Sequence, residues 1–408
     1  MIRQFFRLLL ITCTVPLIFA KNAYSGENSA LWFKETDIKI PGHAIAAELH
    51  NGVRIVILPT IHRNSGVSAR VRVAAGVAHD FNEQLIAQVI SRQVTKDTPW
   101  TGRAQLTQTT FSLDLNYEQK NTFEQSLKLI KERLIAPYRP KAKNNQPIKA
   151  LDNQAGEFKD TFYVPGHTTV IVTGGEKKNE QLALLKRVFS DWSSDVKPSL
   201  EHSVNLELDQ YKRQIVITDT GMSLSTLSNL QEVEDSKLQR REKLMSLLAT
   251  KLLAKRIANE LDPDQTQLKL TVENEILFNG ELLSQIKLEN LSETLDKKAL
   301  KSRVERELKE IYAQGFTLSE YHTVVQETRA QLYEHTQIGG NINYTKEQAD
   351  RIVRAINQGT VYSTPSYDLD LFNFHVAHMD EIDISKTFRT IWPENLSDFV
   401  YYNSTKNQ

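Results

Sequence analysis

The stretch VRVAAGVAHDFNEQLIAQVISRQV, Val71 to Val94, decides how the chain reads. Val71, Val73 and Ala75 alternate with Arg72 and Ala74, the period of a strand with one apolar face. Gly76 breaks the strand, and Ile86, Ile90 and Val94 then recur at helical spacing. The helix carries Gln88, Ser91 and Arg92 as its polar residues, with no histidine and no acid after Glu83. A strand, a tight turn and a helix without chemistry is the unit from which the rest is read.

Working outward, Asn51-Gly52 lies between apolar runs and predicts a hairpin turn leading into a buried strand over Val53–Leu58. Phe111, Leu113, Leu115 and Tyr117 alternate with Ser112, Asp114 and Asn116, which predicts a half-buried strand. Phe123, Leu127, Ile130 and Leu134 follow at helical spacing, stopped by Pro137 and Pro140. The segment Lys141–Asn153 reads as a polar loop. A strand over Thr168–Thr173 comes next, then a helix whose apolar face ends at Trp192. Ser193–Gln210 is a polar linker and marks the domain boundary, with domains at 32–208 and 209–408. The second part repeats the pattern, with strands over Gln214–Thr218, Leu268–Val272 and Leu282–Leu288 and a leucine-striped helix from Leu244 to Leu261. Gly315 sits where a left-handed C-cap belongs, and Thr317-Leu-Ser-Glu320 has the form of a capping box. The expected fold class is α+β: two related domains, each an antiparallel-rich sheet with helices packed on one face.

Composition and termini narrow the function classes. Lys plus Arg and Asp plus Glu both number 50, so no basic surplus supports a nucleic-acid partner. Arg3 and Arg7 precede a short apolar run, Leu8–Ala20, so residues 1–25 read as a cleaved signal peptide. The mature chain is then exported, without a membrane span. Its single cysteine, Cys13, lies in the signal, which excludes disulfides, zinc-thiolate sites and a cysteine nucleophile. His375 and His378 form the one close histidine pair and read as solvated or hydrogen-bonded side chains; His167 and His322 stand alone. Gly174-Gly175 lacks the Lys-Ser/Thr of a phosphate loop. The charged run Asp235–Lys243 reads as a solvated helix face.

The order LHNGVRIVILP, Gly76-x-x-x-Asp80, helix, FYVPGHTTVIVTGGE and FSDW resembles the insulinase/pitrilysin family of zinc peptidases, the inverzincins. Tyr163-Val-Pro165 and Phe189-Ser-Asp-Trp192 are its most specific pieces, and YAQGFTLSEYHTVVQETRAQLYE (312–334) resembles the second domain of bacterial members. The resemblance implies one half of a clam-like chamber in a periplasmic protein of a Gram-negative bacterium. It also implies that the helix after the glycine turn should carry His-x-x-Glu-His. Two histidines four apart on one helical face hold a zinc ion, and the glutamate between them activates its water. Gln88, Ser91 and Arg92 stand in those places. The glutamate that the resemblance expects downstream finds no acidic helix in the polar interval before Gly156, and Glu157 lies too near Tyr163-Val-Pro165 to replace it.

The expected function is therefore that of a pseudopeptidase without a cofactor. Its partners would be an active subunit of the same family, in a heterodimer or homodimer, or extended peptides. The strand holding Val67, Ala69, Val71, Val73 and Ala75 is the expected edge for a peptide added through main-chain hydrogen bonds. Two readings stand beside this one. The first is a zinc endopeptidase built on His375 and His378, and the second is a structural component of an envelope complex.

Overall fold

A computed structural model describes residues 36–60, 66–80, 85–139, 147–175, 177–194, 213–218, 221–230, 234–261, 268–277, 280–289, 297–337 and 344–403. The signal segment 1–25 and most of the linker at 193–210 lie outside the described residues.

The first sheet comprises β1 (Ile45–Glu48), β2 (Arg54–Leu58), β3 (Val67–Val73), β4 (Thr101–Ala104), β5 (Thr109–Leu115) and β6 (Thr168–Gly174). Their order is β1-β2-β6-β3-β5-β4. Each neighbouring pair is antiparallel except β2 and β6, which run parallel. The expected hairpin joins β1 to β2, with Gly52 in the left-handed region at φ +92. Asn51 Nδ2 ties this turn to the carbonyls of Phe189 and Trp192, both at 2.8 Å. Four helices cover one face: α1 (Ile86–Thr95), α2 (Phe123–Ile135), α3 (Pro147–Phe162) and α4 (Lys178–Phe189). Ile55, Ile57, Val71, Phe111, Val170 and Val172 point into the core beneath them, with Ile86, Ile90, Leu127, Phe158 and Phe189 opposite.

The second sheet comprises β7 (Arg213–Ile217), β8 (Gly221–Asn229), β9 (Lys269–Ile276), β10 (Glu281–Glu289) and β11 (Val400–Asn403), in the order β11-β7-β8-β10-β9. Its helices are α5 (Lys237–Leu261), α6 (Lys297–Gln314), α7 (Leu318–Gln337), α8 (Tyr344–Asn357), α9 (Pro365–Val376) and α10 (Glu381–Ile391). The leucine stripe of α5 packs against Ile215, Leu224, Ile286 and Leu288. Gly315 adopts φ +75, and the capping box forms as expected: Thr317 N–H donates to Glu320 Oε2 at 2.8 Å, and Glu320 N–H to Thr317 Oγ1 at 3.3 Å. The α+β reading of two sheet-and-helix units holds.

Two features depart from the sequence reading. Pro147–Phe162 is helical, so the expected loop over Lys141–Asn153 is in its later part the start of α3. Proline at the first position of a helix costs no hydrogen bond, so Pro147 can open α3 inside a segment whose polar composition reads as a loop. Secondly, the first sheet has helices on both faces. Helix α8, contributed by the second half, lies across β3 and β6. Val56, Leu58 and Ile171, the residues alternating with the inner set, meet Ile352, Val353 and Ala355 there.

Candidate functional site

The helix that carries no chemistry is α1, and the turn before it is tightly built. A side chain at Gly76 would meet Gln105 O at 2.1 Å, so only glycine fits. Asp80 Oδ1 accepts the Ala87 N–H at 3.1 Å and caps the helix, and burial raises the Asp80 carboxyl above its ordinary value. His79 Nδ1 accepts Gly76 N–H at 3.2 Å, and its ring meets Phe162 on α3 edge to face at 5.1 Å. The turn thus fixes α1 and α3 against each other.

Gln88, Ser91 and Arg92 occupy three different environments on α1. Gln88 is half-buried, Ser91 is buried at 2% exposure, and Arg92 is exposed. Ser91 Oγ has no hydrogen-bond partner among the described residues. It lies against Gly102 of β4: a methyl group at Gly102 would stand 2.3 Å from that oxygen. A neutral amide, a hydroxyl and a guanidinium are poor replacements for two imidazoles and a carboxylate. The guanidinium stays charged and repels a dication.

Helix α3 supplies the packing partner from which a third ligand would come, so the helix missing from the sequence reading exists. Its buried side chains are Ala155, Phe158, Lys159 and Phe162, while Glu157 and Asp160 are exposed. Lys159 is 4% exposed, and its ammonium donates to the carbonyls of Arg133, at 3.0 Å, and Ala136, closing the end of α2. Burial lowers Lys159 to about 8, with Asp160 opposing that shift and Arg133 adding to it.

The expected peptide-binding edge is corrected by the sheet order. Val67, Ala69, Val71 and Val73 lie on β3, which is hydrogen-bonded to β6 on one side and β5 on the other, and Ala75 follows it directly. No backbone group of β3 is open to another strand, and every residue in it is buried. The open edge on this side is β4, paired only with β5 and exposed over Thr101, Gly102 and Arg103. Its sequence, TGRA, has no apolar alternation, so the periodicity that finds strands passes over it. Its exposure and its position beside Ser91 mark it in the structure.

His375 and His378 do not gather a metal site: among the described residues no group of three histidine, cysteine or carboxylate side chains stands close enough to hold an ion. His378 is exposed, its Nδ1 2.7 Å from Phe374 O. His375 is 4% exposed, and its Nε2 has no partner among the described residues. The expected solvated face at Asp235–Lys243 is also corrected. Asp235 is buried and holds Arg240 in a two-pronged pair at 2.9 and 2.7 Å, while accepting Val361 N–H at 2.7 Å.

Residues 153–337 match the family model described as "Peptidase M16 inactive domain". No curated protein sequence matches the chain. Among solved structures, the chain is similar to the periplasmic protease PqqL from Escherichia coli, with a TM-score of 0.70 and 14% identity over 88% of this chain and 47% of that one. It thus spans about half the length of PqqL, and the separately solved first half of that protease matches over 90% of its length. A predicted insulinase family protease from Yersinia pestis matches at TM-score 0.65 and 16% identity, covering 91% of this chain and 94% of that one. A chain of complex III2 from Candida albicans matches at TM-score 0.58 and 9% identity, covering 85% and 92%. The resemblance read from the sequence is borne out: the chain has the two-sheet fold of the insulinase/pitrilysin peptidases.

Proposed function

We propose that the chain is an exported, non-catalytic insulinase-like half-chamber that receives extended peptides along β4 and completes its chamber with an active subunit of the same fold. The observation that carries this is the juxtaposition of β4 and α1. An open strand edge offers unpaired backbone groups to a peptide, and Gly102 lets that edge lie directly on Ser91. A peptide added there would run past Gln88, Ser91 and Arg92, which can hydrogen-bond but cannot assemble a zinc-bound water and its base. The match to one half of PqqL supports a half-chamber in need of a second half. Its description as periplasmic, together with the Leu8–Ala20 apolar run, supports export.

Two measurements test this reading. After dialysis against trace zinc, the purified mature chain should hold less than about a tenth of an equivalent, since a three-ligand site fills under those conditions. One full equivalent would restore the peptidase reading. For the edge, Arg103→Pro and Ala104→Pro are compared, since Gly102 has no room for a Cβ. Successive residues of an antiparallel strand turn their N–H groups to opposite sides, so one of the two prolines removes an outward donor and the other a bond to β5. The first should weaken binding of an extended peptide with little loss of stability, and the second should do the reverse. Unchanged peptide binding in both variants would move the site away from β4.

A further inference from the structure

A cavity of about 360 Å³ lies among α5, α7, α8 and α9, on the side of α8 away from the first sheet. We infer that it is a binding site for a small organic carboxylate with an apolar body. The walls are apolar where Leu244, Leu247, Leu332 and Phe372 line them. The charged lining residues fall into two sets. Arg240 is held by Asp235, and Arg351 by Asp368 at 2.6 Å, so both carboxylates of the lining are engaged. Lys243 and Arg354 have no carboxylate within ion-pair distance among the described residues. The Lys243 ammonium donates to the neutral Gln358 Oε1 at 3.4 Å, and Gln358 in turn donates to Glu275 at 2.9 Å.

The lining therefore carries four cationic side chains, Arg240, Lys243, Arg351 and Arg354, against two carboxylates, Asp235 and Asp368, beside an apolar wall. Burial lowers Lys243 to about 8; Glu275 and Asp235 pull it upward, and Arg240 and Arg354 push it down. His375 also lines the cavity, with its ring buried. An ammonium whose hydrogen bond goes to a neutral amide is costly to bury, and a ligand carboxylate would satisfy it. The apolar walls favour an organic acid over an inorganic anion, and the volume suits a ligand of about ten heavy atoms.

The test uses 3-phenylpropionate as probe on the full mature chain, with 3-phenylpropanol and inorganic phosphate as comparisons, read by calorimetry. The carboxylate should bind at one site with sub-millimolar affinity, the neutral alcohol at least about tenfold more weakly, because it lacks the charge-assisted hydrogen bonds. Lys243→Met should weaken the acid by about tenfold or more while leaving the alcohol unchanged. If Lys243→Met fails to fold, Leu247→Trp, which fills the cavity from its apolar wall, should abolish binding of both. Whichever of Arg103→Pro and Ala104→Pro removes the outward donor should bind the probe normally, so failure at β4 and failure here are separate results. No binding, equal binding of acid and alcohol, tighter binding of phosphate, or binding that survives both Lys243→Met and Leu247→Trp would each overturn the inference.

Discussion

The two faces of the first sheet are buried by different means. Beneath α1 to α4 the contacts are almost wholly apolar, and Ser91 Oγ is buried with no partner among the described residues. Beneath α8 an apolar patch of Val56, Leu58 and Ile171 against Ile352 and Val353 is joined by a network of buried polar side chains. Arg70, 1% exposed, pairs with Asp114 on β5 at 2.9 Å and with Asp350 on α8 at 2.7 Å. Arg72 reaches Gln108 at 2.6 Å and Asn357 on α8 at 3.2 Å, and its burial, with Arg54 nearby, lowers it to about 10. Ser68 and Thr173 bond Thr345. The chain concentrates its buried polar chemistry at the joint between its halves, and none of that chemistry lies on α1. The second half of this molecule is therefore built into the burial of the first.

If that contrast is right, the joint should be the place where single substitutions hurt most. Asp235→Ala should have the largest effect. It removes the closer of the two carboxylates that pair with Arg240, leaving Asp368 at 3.4 Å, and frees the Val361 N–H, beside the Thr36 hydroxyl that donates to the Asp235 carbonyl at 2.8 Å. A loss of about 3–5 kcal/mol is expected in urea unfolding, the range for a buried ion pair broken from one side. A loss below about 1 kcal/mol would mean that the joint is held by its apolar contacts alone.

Arg70→Met should come second, at about 2 kcal/mol. It removes two charge-assisted bonds but leaves behind carboxylates that water can reach, Asp114 at 37% and Asp350 at 48% exposure. The effect should be local as well as global. Amide exchange in 344–357 should accelerate more than in α1, because α8 loses its anchor while the inner face keeps its core. Equal acceleration in both helices would erase the distinction between the two faces.

β3 also shows where sequence reading succeeds and where it stops. Its alternation of Val67, Ala69, Val71 and Val73 with Ser68, Arg70 and Arg72 identifies the strand and its inner face correctly. The strand leads into the helix of Gln88, Ser91 and Arg92, which makes it the expected peptide edge, but strand order is set by β5 and β6 from elsewhere in the chain. Nothing local says that Asp350, 280 residues away in sequence, arrives to neutralise Arg70. The charged run at Asp235 misleads for the same reason, since its acid is neutralised within the protein. The hairpin at Gly52, the cap at Gly315 and the capping box at Thr317 are legible because each is a local backbone requirement. The helix that carries Gln88, Ser91 and Arg92 is legible because its apolar residues recur at helical spacing, whereas the burial of Ser91 and exposure of Arg92 are not. The edge β4 and the basic cavity are not legible, because one lacks periodicity and the other is assembled from four helices.

A capping box remote from the joint gives a scale for the remaining effects. Burial alone would raise the Glu320 carboxyl, but Arg256, at 2.6 and 2.9 Å, and the bonds from Thr317 outweigh it and hold the group at about 2. Its folded value lies below the ordinary 4.5, so its contribution is complete above that pH and is lost as pH falls through 4.5 toward about 2. Glu320→Gln should cost about 1 kcal/mol at neutral pH, and the difference from the parent chain should shrink progressively in acid titrations below pH 4.5. A difference that stayed constant through that window would assign the effect to packing and leave charge out of it.

The smallest effect is expected at the position where the family resemblance puts a catalytic base. Ser91→Ala removes a hydroxyl that bonds nothing, in a helix interior where alanine is the better helix former by about half a kcal/mol. Deleting one oxygen next to Gly102 leaves little space, because the edge strand already lies against it. The change in stability should fall between zero and a gain of about 1 kcal/mol, and peptide binding along β4 should be unaffected. A destabilisation of about 1.5 kcal/mol or more would show that the hydroxyl has a partner in solution, such as a buried water. Loss of peptide binding with stability intact would be more telling. Ser91 would then touch the bound chain, and α1 would have exchanged its chemistry for recognition.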